Sequence, residues 1–175
     1  ESARQAVASL KKGRRIEELE QFALNDSMTG FYNRNAYDYF IYNEKNIKNY
    51  MVVTFDLNNL KMCNDNYGHS SGDAYIIHSA HIIETTFDRF GKCYRIGGDE
   101  FCCLIPDAAE FQIERFIQKM QQDIAILNNK NIIPTEVGIA CGYALATPDD
   151  ADIEKVRERA DEMMYHNKKV LKGLI

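Results

Sequence analysis

The spacing of apolar residues divides the chain into helical and extended stretches. Over residues 1–24, Ile16, Leu19, Phe22 and Ala23 recur at helical spacing among charges, which predicts an amphipathic helix with one apolar stripe. Asn25, Asp26, Ser27 and Gly30 then break the pattern with turn chemistry. A helix is expected from about Asn33 to Lys48, with Tyr37, Phe40 and Ile41 turned inward. The β-branched run "MVVTF" (51–55) predicts a strand. Residues 72–87 place Ile76, Ile77, Ala80 and Ile83 on one helical face. "KCYRI" and "FCCLI" read as two strands joined by a Gly-Gly turn. Ile113, Phe116, Ile117, Met120, Ile124 and Leu127 mark a helix over 111–127, and alternation from Val137 to Tyr143 marks a last strand. Residues 152–169 form the final helix, with Asp150 or Asp152 as its N-cap.

The order β-α-β-β-α-β plus terminal helices is the split βαβ, ferredoxin-like arrangement: an α+β domain with an antiparallel sheet and helices packed on one face. The expected division is a linker helix over residues 1–24 and one domain over 25–175.

Composition narrows the function. The net charge of −5 disfavours nucleic acid as a partner. No apolar run reaches the length of a membrane span, so no membrane contact by this segment is expected; the expected location is the cytoplasm, free or as the cytoplasmic domain of a membrane-anchored protein. Five cysteines with no C-x-x-C pair argue for reduced thiols, against a disulfide framework and against zinc. Beginning at Glu1, the chain reads as a piece of a longer protein with an upstream sensory domain.

The candidate chemistry lies at strand ends. "MVVTF" runs directly into Asp56, and the hairpin tip carries Gly97, Gly98, Asp99 and Glu100. Asp56 alone fits a helix N-cap or a turn. If the tip lies beside the strand end, however, Asp56 and Asp99 share one space and call for a cation between them. Few, hard oxygen ligands suit Mg²⁺, with other positions left for water and phosphate oxygens. The two glycines fit a type I′ or II′ turn, and they also let a ligand approach the backbone closely. In the polar segment 56–73, Lys61 supplies a point charge for phosphate. Asn64 and Asp73 together can read the ring N–H and exocyclic amine of guanine, although Asp73 also fits a helix N-cap after Gly72. His69 taken alone reads as a solvated or capping residue. Lys168, Lys169 and Lys172 are last-turn helix cations unless that helix end faces the acidic tip.

"RIGGDEF" (95–101), with "FDLNNLKMCNDNYGHSSGD" (55–73), "DSMTGFYNR" (26–34) and "ADEMMYHNKK" (160–169), resembles the GGDEF family of diguanylate cyclases. The resemblance spans about residues 25–172 and implies the nucleotide-cyclase, palm-like form of the ferredoxin-like core. It implies that two GTP molecules, one on each protomer of a homodimer, condense to cyclic di-GMP with release of two pyrophosphates. By the same resemblance, Asp56, Asp99 and the Leu57 carbonyl hold Mg²⁺, with Mn²⁺ as the alternative. Lys61 stabilises phosphate charge, and Asn64 and Asp73 read guanine. His69, Gly97 and Gly98 lie near the nucleotide, Lys168 and Lys172 contact phosphates, and Asp99 with Glu100 assists deprotonation of the attacking hydroxyl.

Several positions depart from the family pattern. Met28 replaces a leucine, Asn58 stands where a second acid is common, and Lys172 stands for an arginine. The inhibitory R-x-x-D motif is absent, its place taken by Asp88-Arg89-Phe90-Gly91. Two other readings remain open on the sequence: a catalytically silent nucleotide-binding sensor, and an interaction domain that dimerises through its first helix.

Overall fold

A computed structural model describes residues 2–171. Four strands, β1 (Met51–Leu57), β2 (Lys92–Arg95), β3 (Glu100–Ile105) and β4 (Ile139–Leu145), form one sheet in the order β2-β3-β1-β4. Every neighbouring pair is antiparallel, as the split βαβ reading expects. The helices are α1 (Ser2–Leu24), α2 (Arg34–Asn43), α3 (Leu60–Tyr67), α4 (His69–Phe87), α5 (Ile113–Asn129) and α6 (Ile153–Leu171). None of them is long and apolar enough to cross a membrane.

Helices cover both faces of the sheet, not one. Met51, Val53, Phe55 and Leu57 of β1 pack with α3, α4 and α5 in one core. Val52, Tyr94, Cys102, Leu104 and Ala144 pack with α2 and α6 in another. The lack of alternation in β1 reflects this: each of its first five residues, Thr54 included, is buried whichever way it points.

Local departures from the periodic pattern have identifiable causes. α2 ends at Asn43, where the Glu44 amide donates to the Phe40 carbonyl and the chain turns extended. Ile77 is 46% exposed, on the outer side of α4, while Ile76, Ala80 and Ile83 are buried. The polar segment after β1 is helical: α3 buries Leu60 and Cys63, and only Gly68, at φ +85°, separates it from α4. A positive φ there lets the chain restart a helix immediately. Asp152, not Asp150, caps α6 by accepting from the Lys155 amide at 3.1 Å; Asp150 accepts from the Thr147 amide and pairs with Arg159.

The seat of α6 matters for the site. A Cβ on Gly142 of β4 would overlap the Ala160 carbonyl and fall 2.8 Å from Met164 Cα. Glycine thus permits the close approach of helix and sheet that brings the end of α6 over β1.

Candidate functional site

The end of β1 and the hairpin tip adjoin. Asp56 stands opposite Glu100 in the ladder, and the Leu57 amide donates to the Asp99 carbonyl at 3.0 Å. Alternation along β1 turns Asp56, like Thr54, away from the Phe55 core and towards α6. Asp99 is half-buried and Glu100 is exposed.

The tip is a four-residue connection, Ile96 to Asp99, closed by the Ile96 and Gly97 amides on the Glu100 carbonyl at 3.0 and 3.3 Å. Neither Gly97 nor Gly98 has a positive φ, so the I′ or II′ turn reading fails and backbone conformation does not require glycine here. What remains is space. A Cβ at Gly98 would meet nothing within 4 Å, whereas one at Gly97 would fall 2.8 Å from Glu100 Oε2.

A clamp behind the tip escaped the sequence reading. Arg95 Nη1 reaches both oxygens of Asp26 at 3.2 Å, and Nη2 donates to the Gly98 carbonyl at 2.8 Å. The Asp26 carboxylate also accepts from the Thr29 amide and hydroxyl at 2.9 and 2.7 Å. Burial pushes its pKa up, but the Thr29 bonds and then the Arg95 guanidinium outweigh it and hold the carboxyl below its ordinary value. The turn at residues 25–30 thereby anchors the acidic tip through Arg95. The available sequence signal was an arginine two positions ahead of the first glycine.

The guanine candidates meet where α3 faces α4. A methyl on Gly72 would overlap the Asn64 amide oxygen, so Asn64 rests against the backbone just ahead of Asp73. Asp73 is the fifth residue of α4, and the helix is entered from Gly68, which excludes the N-cap reading of Asp73. Asp73 is exposed and Asn64 half-buried. Lys61 and His69 lie exposed in the first turns of α3 and α4.

Tyr75 is a second residue the periodic pattern did not single out. It is fully buried, and its hydroxyl accepts from the Gly138 amide at 2.8 Å and lies 2.8 Å from the Asn58 carbonyl and 3.1 Å from that of Gly138. Burial is the main cause that pushes its pKa up to about 12. It fixes the backbone directly after Leu57, a proposed metal-ligating carbonyl.

Lys168 does not stand free for phosphate. Its ammonium lies 2.5 Å from Asp56 Oδ1, with the two side chains 27% and 19% exposed. Lys172 lies outside the described residues. Among the described residues no group of three or more His, Cys, Asp and Glu converges on one point, so side chains alone cannot enclose a metal. The donors at hand are the Asp56 and Asp99 carboxylates and the Leu57 carbonyl; the Asn58 amide lies against Gly138, its Oδ1 buried without a partner. This all-oxygen, incomplete set fits Mg²⁺ or Mn²⁺ completed by water and phosphate oxygens.

Fold and site together define an α+β domain with an acidic, oxygen-donor edge at the end of its central strand. The family model described as "Diguanylate cyclase, GGDEF domain" matches residues 23–172, and the chain belongs to that family. It is 31% identical over 157 residues to the diguanylate cyclase DgcN of Escherichia coli (strain K12), covering 86% of this chain and 38% of that protein. It is 27% identical over 161 residues to the diguanylate cyclase DgcS of Shewanella oneidensis, covering 87% and 52%. The chain thus spans about a third to a half of the length of these relatives. The coiled coil and GGDEF domain of DgcB from Caulobacter crescentus, solved in complex with c-di-GMP, shares the fold at TM-score 0.80 and 23% identity, over 96% of this chain and 94% of that one.

Proposed function

We propose that this domain is a diguanylate cyclase that condenses two GTP molecules into cyclic di-GMP across a homodimer. One observation carries the reading: in a member of this family, the ladder sets Asp56 beside the Gly97-Gly98-Asp99-Glu100 tip, while Gly72 sets Asn64 beside Asp73. The first pair handles phosphate and the second reads guanine.

In each of two equivalent steps, a 3′-oxygen bonds to the α-phosphorus of the facing nucleotide. The bond from that phosphorus to the pyrophosphate oxygen breaks, and pyrophosphate leaves with the electron pair. Asp99 or Glu100 takes the hydroxyl proton and passes it to solvent. Asp56, Asp99 and the Leu57 carbonyl would hold Mg²⁺ or Mn²⁺, which supplies Lewis-acid stabilisation of charge on the phosphate oxygens. Lys61 adds positive charge there, His69 lies beside the nucleotide, and the bare backbone at Gly98 leaves room for it. Lys168, and Lys172 after it, bind phosphate once nucleotide is present.

Each protomer carries one half-site, so pairing controls the rate. The exposed stripe of α1, with Val7, Leu10, Ile16, Leu19 and Phe22, supports pairing through that helix under an upstream domain in the cytoplasm. Product feedback at the family's usual secondary site is not supported. A Cβ at Gly91, where the inhibitory acid would stand, overlaps the Leu104 carbonyl.

The test is incubation with GTP and Mg²⁺, with the products resolved by mass. Cyclic di-GMP is expected from the parent. Asp99→Ala should lose at least ~10- to 100-fold in rate while remaining folded. Nucleotide binding without product in the parent would establish the silent-sensor reading instead.

A further inference from the structure

We propose that Lys168 is a latch on the metal site: its ammonium holds Asp56 closed until a nucleotide's phosphates draw it away, so divalent metal enters with nucleotide and not before it. The inference rests on the cyclase reading of this site and deepens it.

The geometry carries the argument. Nζ sits 2.5 Å from Asp56 Oδ1, within the space a divalent cation on that oxygen would need. A metal taking that oxygen would sit against a like charge, which opposes its binding. Both side chains are largely shielded, so the pair is poorly screened by solvent. Among the described residues Asp56 is the one hydrogen-bond partner of this ammonium.

The latch is mounted on a fixed base. The approach of α6 to Gly142 sets the helix against β4, and Asn167 Nδ2 donates to the Cys141 carbonyl at 3.2 Å. Release therefore requires rotation of one flexible side chain and no shift of the helix. A metal arriving alone must displace the ammonium and leave it beside a like charge. A metal arriving with a triphosphate brings the new anionic partner along. The site so built selects the metal–nucleotide complex over the free ion.

Mn²⁺ binding, followed by electron paramagnetic resonance without nucleotide, tests this directly. Lys168→Met should bind Mn²⁺ at least about tenfold more tightly than the parent, the lower range for losing a shielded charge-assisted hydrogen bond. Lys169→Met removes the same net charge, but from an ammonium 4.4 Å over the Tyr165 ring, and should stay near the parent. A non-hydrolysable GTP analogue should abolish or reverse the advantage of Lys168→Met. Adding Asp56→Asn should remove that advantage.

Equal nucleotide-free affinity in the parent and Lys168→Met, or no measurable Mn²⁺ binding by Lys168→Met, overturns the latch. So does a gain that survives Asp56→Asn or is matched by Lys169→Met. The outcomes separate the two readings: a parent that makes cyclic di-GMP while Lys168→Met gains nothing refutes the latch alone. A clear gain in Mn²⁺ binding with no turnover refutes the cyclase alone.

Discussion

Replacing Arg95 by Met keeps the bulk of the side chain and removes its charge. The change deletes two contacts of 3.2 Å to Asp26 and the 2.8 Å bond to the Gly98 carbonyl. Arg95 and Asp26 are only 13% and 21% exposed, so the loss is that of a shielded pair and not of a surface one. Severing a fully buried pair costs ~3–5 kcal/mol because one charge is stranded. Asp26 is not stranded, since the Thr29 amide and hydroxyl still serve it. The expected cost is therefore smaller, ~2–3 kcal/mol, the upper part of the range for hydrogen bonds to charged groups. At ~2–4 °C per kcal/mol for a domain of this size, the melting temperature should fall by ~4–12 °C.

The loss has a defined pH dependence. The folded pKa of Asp26 lies below its unfolded value, so the carboxylate stabilises the fold above about pH 4. That stabilisation disappears as pH falls through the folded value. The gap between parent and Arg95→Met should accordingly be full at pH 7 and shrink below about pH 4. Thermal melts from pH 7 to pH 3, with turnover at pH 7, measure both effects. Release of the Gly98 carbonyl should also displace Asp99, and a shift of ~1 Å can cost ~100-fold in rate. A variant with parent-like melting and parent-like turnover would refute the clamp. A gap that persisted undiminished at pH 3 would refute its ionic origin.

Gly72→Ala should raise KM for GTP about tenfold or more while leaving the melting temperature near the parent's. The methyl drives Asn64 from its seat, but alanine regains ~1 kcal/mol of helix propensity; unchanged steady-state KM would separate Asn64 from guanine binding. Tyr75→Phe leaves the Gly138 amide without its acceptor and should cost ~1–3 kcal/mol in urea unfolding. Because the Tyr75 pKa is raised to about 12, its hydroxyl stabilises the fold below about pH 10, so that cost should be flat from pH 6 to 9.

The features legible in the sequence were those written in local pattern. β1, the β2–β3 hairpin and α5 announce themselves by period and by glycine, and the place of Asp56 at a strand end follows from the run before it. α3 was not legible, because Asn64, Asp65 and Asn66 are turn formers. Burial of Leu60 and Cys63 against the core overrides that propensity. The two-sided burial of the sheet had a signal in the sequence, the run "MVVTF" of β1, in which apolar residues do not alternate with charged ones.

The contacts that tune the site lie beyond any local pattern. Asp26 and Arg95 are 69 residues apart, and Asp56 and Lys168 are 112 apart. Each is an ordinary turn, strand-end or helix-end residue until the sheet order fixes its partner. β3 lies beside β1 in that order, and α6 lies over them on the face away from α4. The hairpin tip is consequently held from one side by the turn ahead of α2, while the strand end it adjoins is held from the other by α6. Both restraints are cation–carboxylate pairs, and they differ in consequence. Arg95 pairs with an acid that the proposed metal does not use, so it can remain in place through the reaction. Lys168 pairs with one that the metal requires, so it must let go.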